Sequence, residues 1–299
     1  MKIETIISDR DQLKLEVAIL ECESPKGIVQ ISHGMSEHKE RYYSFMEYLK
    51  QNNFITVIHD HRGHGNSVKS KEDLGYFYEE NSQYIVDDLY QVTSYIKKQY
   101  PNLPVYLFSH SMGTLVARNY LKKHDQEIEK IVLCGPPTEN KLAGLGIQFA
   151  KISKKIKGDR NRSQFLNQLT FGNYNKNYKI QNEWICSNIE KVNQYNQDEL
   201  SGYIFTTNGF INLYGLMKNA FNKKNWNVQN PNLKILVIAG SDDPVIQNKN
   251  KFENLINFLR SLGYKNITSK LYPKKRHELL NEVDHESIYQ DILDFFNEL

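Results

Sequence analysis

The stretch VYLFSHSMGTLVARNYL, residues 105–121, runs from a short apolar strand through an abrupt turn at 109–113 into a helix that continues toward His124. Ser111 stands at the apex of that turn. A hydroxyl between a strand end and a helix N-terminus is exposed at the top of a sheet, and the first backbone N–H groups of the helix can receive a negative charge. The spacing Ser111-x-Gly113 is the second half of a G-x-S-x-G nucleophile elbow, with Ser109 where the first glycine stands. The crowded turn demands small side chains, and serine meets that demand. A strand-to-helix turn whose serine merely caps the helix has the same local pattern, so an acid and a histidine elsewhere in the chain must decide between the two.

Outward from the elbow, apolar runs alternate with helical patterns. Residues 3–8 and 13–20 alternate apolar and polar positions around Asp9-Arg10-Asp11, which predicts an antiparallel hairpin. Strands are predicted at 27–32, 54–58, 128–133, 233–239 and 267–271, and helices at about 42–51, 84–100, 248–262 and 286–296. Continuous apolar strands separated by helices mean a mostly parallel sheet covered on both faces, an α/β core.

From 138 to 230 the rhythm stops: short helical patterns, many Asn, Lys and Tyr, and no buried strand. The organisation expected is a core of residues 1–136 and 231–299, with 137–230 inserted as a mainly helical cap. This insertion holds 13 basic and 6 acidic residues, a balance of +7 against −4 for the rest. Within it Leu142, Leu145, Phe149, Ile152 and Ile156 share one helical face, and Lys151, Lys154, Lys155 and Lys157 cluster at its end. Such a stripe usually packs on protein; with the lysines it also suits an anionic membrane surface.

The chain's 299 residues allow a single large core with an inserted subdomain. A net charge of +3 and the lack of an arginine-rich stretch exclude a nucleic-acid partner. The first ten residues lack the pattern of a signal peptide, and no apolar run reaches about 18 residues, so a cytoplasmic protein, peripheral at most to a membrane, is expected. Cys22, Cys134 and Cys186 are widely spaced, which argues for free thiols rather than disulfides or a zinc site.

An acid and a base follow the elbow where the sheet presents its carboxyl ends. Gly240-Ser241-Asp242-Asp243-Pro244 succeeds the strand 233–239, and His277 lies on a loop after the strand 267–271. Either aspartate can orient the histidine. The order Ser, Asp, His is that of the α/β-hydrolases. Serine needs His277 to take its proton and return it to the leaving group, and an aspartate, Asp243 by position, to hold the imidazole tautomer. The oxyanion requires backbone donors, the N–H groups of Met35 and Met112. A rival lies in His59-Asp60-His61-Arg62-Gly63-His64, near the spacing of a metallo-β-lactamase zinc site, but Gly63 stands where that site needs an aspartate. Hydrogen bonding in the glycine loop and around His33 is the expected role.

His33-Gly34-Met35-Ser36-Glu37-His38 with Arg41-Tyr42, the run from Asp60 to Ser67, His110-Ser111-Met112-Gly113, the run from Gly240 to Val245 and Arg276-His277-Glu278 together resemble the monoacylglycerol lipase and lysophospholipase-like α/β-hydrolases, nearly end to end. Phe171 to Asn175, Trp184 and Phe205-Thr206 resemble that family's cap. The resemblance implies Ser111 as nucleophile, Asp243 rather than Asp242 as acid, His277 as base, Met35 and Met112 as oxyanion donors, and no metal or organic cofactor. Ser109 and Thr114 depart from its glycines. It also implies a serine carboxylester hydrolase for single-acyl lipids (monoacylglycerol or lysophospholipid) or medium-chain esters. Related serine aminopeptidases act on N-terminal residues instead, for which Glu37 or Glu278 would have to bind the amine. A non-catalytic ligand-binding protein on the same scaffold is a further alternative.

Overall fold

The interior strands are apolar at nearly every position, which requires cover on both faces. The computed structural model, which describes residues 1–298, shows that cover. In chain order the elements are β1 (Lys2–Ile7), β2 (Lys14–Leu20), β3 (Gly27–Ser32), α1 (Tyr43–Gln51), β4 (Phe54–His59), α2 (Gln83–Gln99), β5 (Val105–His110), α3 (Met112–His124), β6 (Lys130–Cys134), α4 (Ala143–Lys157), α5 (Gln164–Phe171), α6 (Ile189–Gln197), α7 (Thr207–Ala220), β7 (Lys234–Gly240), α8 (Lys249–Leu262), β8 (Asn266–Tyr272) and α9 (His285–Asn297). The eight strands form one sheet in the order β1-β2-β4-β3-β5-β6-β7-β8. β2 pairs antiparallel with β1 and β4, and the pairs from β4 to β8 are parallel. This is the α/β-hydrolase fold.

Alternation along the strands divides the core. Ile28, Leu107, Ile131 and Val237 face α2, α3 and α8, while Val29, Phe108, Val132 and Ile238 face α1 and α9. Full burial of each such side chain contributes about 1.5–3 kcal/mol. The strand order reverses between β3 and β5, and at such a switch point the loops diverge and leave a crevice at the carboxyl ends. Ser32 and Ser109 are paired there, two residues before Ser111.

Between β6 and β7 the chain forms α4 to α7 and loops, with one isolated bridge, Arg162 to Thr206, outside the named strands. The amide of Asn119 in α3 donates to the Leu216 carbonyl at 3.1 Å, tying α7 to the core. The apolar stripe of α4 does not pack on protein, contrary to the usual behaviour of such faces. Leu142, Leu145, Phe149, Ile152 and Ile156 are 45–74 % exposed. The buried side is made of Ala143, Gly146 and Ala150, because α4 lies so close to α7 that a Cβ at position 146 would stand 3.0 Å from the Tyr214 ring. Small residues, with Ile147 partly buried beside them, make the inner side of the helix, and the residues of the stripe do not.

Under the crevice four histidine rings are buried: His33, His59, His61 and His64. His33 Nε2 accepts from the His61 backbone N–H at 2.9 Å, so its proton is on Nδ1, which donates to the Gly34 carbonyl at 2.8 Å. His61 Nε2 meets the Ser32 hydroxyl at 2.9 Å. These bonds join the loop after β3 to the glycine loop after β4. Among the described residues no group of three or more His, Cys, Asp or Glu is arranged to hold a metal ion.

Burial pushes all four imidazoles below their ordinary range, His59 and His64 to about 3. Unfolded histidines bind protons below about pH 6.5. The folded state refuses them, so stability is present above that pH and falls as pH drops. Each such histidine steepens the decline by up to about 1.4 kcal/mol per pH unit. Thermal melts at constant ionic strength should therefore show a steep loss of Tm between pH 6.5 and 5; a Tm flat across that range would contradict the neutral cluster.

Candidate active site

The elbow forms because α3 is driven hard against the end of β3. A Cβ at position 113 would lie 2.2 Å from the Ser32 carbonyl oxygen, so only glycine fits. The chain turns within one residue, and Ser111 is held at φ 51°, ψ −120°. A non-glycine residue in that region stores roughly 1–3 kcal/mol of strain, tolerated where surroundings over-determine the turn. The two departures at the elbow supply part of that constraint. The Ser109 hydroxyl donates to the Val132 carbonyl at 2.9 Å, and Thr114 Oγ1 donates to the Ser111 carbonyl at 2.7 Å.

Asp243 and His277 reach Ser111 from the loops after β7 and β8. Asp243 Oδ1 accepts the Val245 N–H at 2.8 Å, which fixes the carboxylate, and Oδ2 lies 2.9 Å from His277 Nδ1. His277 Nε2 lies 2.8 Å from Ser111 Oγ. Nδ1–H therefore donates to Asp243, leaving Nε2 to accept the serine hydroxyl. Asp243 and His277 are buried, whereas Asp242 is exposed and accepts from the Ser241 hydroxyl at 2.9 Å. Ser111, His277 and Asp243 thus stand in hydrogen-bond sequence, an arrangement capable of activating a hydroxyl for acyl transfer. Met35 and Met112 line the same cavity as Ser111.

That cavity holds about 590 Å³. Leu115, Phe171, Leu213, Met217 and Val245 contribute apolar lining, and Asn167, Gln168, Asn175, Gln181 and Asn182 neutral polar lining. Trp184 lies over the His277 ring at 5.2 Å and is backed by Tyr174 at 5.0 Å. Among the described lining residues the only carboxylates are Glu37 and Glu278, and there is no Lys or Arg. Neither carboxylate is free. Arg41 binds Glu37 at 2.5 Å and forks onto Glu278 at 2.8 and 2.6 Å. The sequence analysis did not foresee this cluster; the i, i+4 spacing of Glu37 and Arg41 was its one local signal.

The chain is 25% identical to the monoglyceride lipase of Rattus norvegicus over 274 residues, covering 88% of this chain and 81% of the relative. Among solved structures it resembles a thermostable carboxyl esterase from Bacillus coagulans in complex with glycerol, with a TM-score of 0.91, 23% identity and coverage of 99% and 97%. A soluble variant of the Saccharomyces cerevisiae monoglyceride lipase, solved with a substrate analogue, gives a TM-score of 0.73 at 18% identity, covering 99% and 94%. The sequence profile described as "Serine aminopeptidase, S33" matches residues 23–284, and the chain accordingly belongs to that family of hydrolases.

Proposed function

We propose that the protein is a serine carboxylester hydrolase whose substrate is a single-acyl lipid with an uncharged head group, monoacylglycerol being the best fit. The observation that carries this reading is the chain Asp243, His277, Ser111, at 2.9 and 2.8 Å, opening into a cavity lined by apolar and neutral polar side chains. Ser111 Oγ attacks the ester carbonyl as His277 Nε2 takes its proton. The N–H groups of Met35 and Met112 receive the oxyanion, each worth roughly 3 kcal/mol in the transition state. His277 then protonates the departing alcohol, and water releases the fatty acid from Ser111 by the same steps in reverse roles.

The cavity walls weigh against the alternatives. A lysophospholipid phosphate would find no lysine or arginine among the described lining residues. The amine of a peptide substrate would need a free carboxylate, and Glu37 and Glu278 are both already paired with Arg41. Residues 137–230 act in this reading as a cap, since α5 lines the cavity through Gln164, Asn167 and Gln168.

The same helix turns Phe165 and Leu169 outward beside the exposed stripe of α4, with Phe149 and Phe165 in contact at 6.1 Å. Lys151, Lys155 and Lys157 are exposed near this patch. An apolar patch bordered by lysines at the rim of a lipid cavity fits the surface of an anionic membrane. No helix among the described residues is long and apolar enough to cross one.

Ser111→Ala should lower kcat on p-nitrophenyl esters by roughly 10⁵- to 10⁶-fold while leaving the thermal melt unchanged; retained turnover would place the nucleophile elsewhere. Among natural-type substrates, kcat/KM should be highest for a monoacylglycerol, lower for the matching lysophosphatidylcholine and negligible for an aminoacyl anilide. Cleavage of the anilide in preference to the esters would make the protein a peptidase. Exchanging Lys151, Lys154, Lys155 and Lys157 for Gln should weaken binding to phosphatidylglycerol vesicles in co-sedimentation by up to roughly 10³-fold, at about 1 kcal/mol per lysine near the surface. Undiminished vesicle binding would remove the basic residues from the membrane contact.

A further inference from the structure

Two carboxylates and two basic groups are buried together behind the reacting residues: Glu37, Glu278, Arg41 and His110. Glu37 Oε1 accepts the Gly34 N–H at 2.5 Å and the Tyr42 hydroxyl at 2.8 Å, and its Oε2 takes Arg41 Nη1 at 2.5 Å. Arg41 forks onto Glu278, which also accepts the Asn281 amide at 2.8 Å. His110 completes the set. Its Nδ1 faces Glu37 Oε1 at 3.2 Å, and its Nε2 faces the His277 carbonyl oxygen at 3.4 Å.

A carboxylate oxygen and a carbonyl oxygen only accept hydrogen bonds, so both ring nitrogens of His110 must donate. An imidazole that donates twice is an imidazolium. Charge balance agrees: Glu37 and Glu278 carry two negative charges, which Arg41 and the charged His110 match in a region where an unpaired charge is expensive.

The cluster also joins three backbones. Glu37 holds the N–H immediately before Met35. His110 immediately precedes Ser111, and the carbonyl it faces belongs to His277. None of the four groups is placed to exchange a proton with Ser111 Oγ, so they are positioning residues. We propose that His110 is held as an imidazolium at neutral pH, that it keeps the Met35 loop and the His277 loop in register with the nucleophile, and that loss of its proton limits turnover at alkaline pH. This rests on the reading of Ser111 as the nucleophile of an ester hydrolase.

The groups around His110 leave it free to set that limit. Burial alone would lower His110, but the hydrogen bond and charge of Glu37 outweigh it and the net shift is upward. Against their own burial, Glu37 and Glu278 are held low by Arg41, and Arg41 is held high by them. Burial and the charge of Glu37 raise Tyr42, burial raises Tyr195 and Cys134, and burial lowers His33. With a folded-state value above the unfolded one, the contribution of charged His110 is complete at acid and neutral pH and disappears as pH rises through the folded value.

The test is kcat and KM for p-nitrophenyl butyrate from pH 6 to 10, with spontaneous hydrolysis subtracted, in the wild type and in His110→Gln. Reactive sites are counted by fluorophosphonate titration. His110→Gln should lower kcat about 10- to 100-fold at pH 7.5 through misplacement of the reacting groups, leave KM within about threefold, and abolish the alkaline limb seen in the wild type. An unchanged kcat, an unchanged alkaline limb, or a loss confined to KM overturns the proposal. Imidazole ¹⁵N spectra of the wild type give an answer that does not depend on the variant folding. A doubly protonated His110 ring at pH 7.5 supports the proposal, and a neutral ring overturns it. A wild type without Ser111-dependent turnover would overturn the hydrolase reading and this inference with it, whereas normal wild-type turnover with an indifferent His110→Gln defeats this inference alone.

Discussion

The Ser32 carbonyl oxygen lies where a side chain at position 113 would begin, and much of the site follows from that close approach. With no side chain at 113, α3 can start at the very end of β5 and point its first N–H groups into the crevice where the strand order reverses. The turn is then too short for ordinary backbone angles, and Ser111 takes the left-handed φ of 51°. Strain of this kind is stable only inside a rigid frame. The frame here is the apolar sheet on either side of β5, together with the hydroxyl bonds of Ser109 and Thr114. The placement of the Ser111 hydroxyl at the cavity is a product of backbone packing before it is a matter of chemistry.

Electrostatics completes what packing begins. Asp243 is fixed by the Val245 N–H and in turn fixes the His277 tautomer, so the acceptor nitrogen faces Ser111. Behind this row, Arg41 bridges Glu37 and Glu278 and thereby links the loop after β3 to the loop after β8. The same bridge pairs both carboxylates that line the cavity. Its members are buried, and breaking a buried pair by removing one partner costs about 3–5 kcal/mol because the other charge is stranded.

Much of this was legible in the residues. Apolar runs located the strands because both faces of the sheet are covered, and Ser111-x-Gly113 located the elbow because the glycine has a steric cause. Asp243 and His277 stand after strands, where loops converge on the switch point. The burial that separates Asp243 from Asp242 was not legible, because adjacent positions differ in direction rather than in pattern. Nor was the partnership of His110 with Glu37, which are 73 residues apart in the chain and meet only through the sheet. The α4 stripe shows a different limit. Periodicity revealed an apolar face, but the partner of α4 is α7 and the contact is made by Ala143, Gly146 and Ala150, leaving the large residues of the stripe outside.

The central claim is that Ser111 is the group acylated in turnover, activated by His277. The most direct measurement is peptide mapping by mass spectrometry after reaction with a long-chain alkyl fluorophosphonate, in the wild type and in His277→Gln. The expected result is one adduct per chain, on Ser111, formed much more slowly in the variant. An adduct on another residue, or equal labelling of the variant, contradicts the claim.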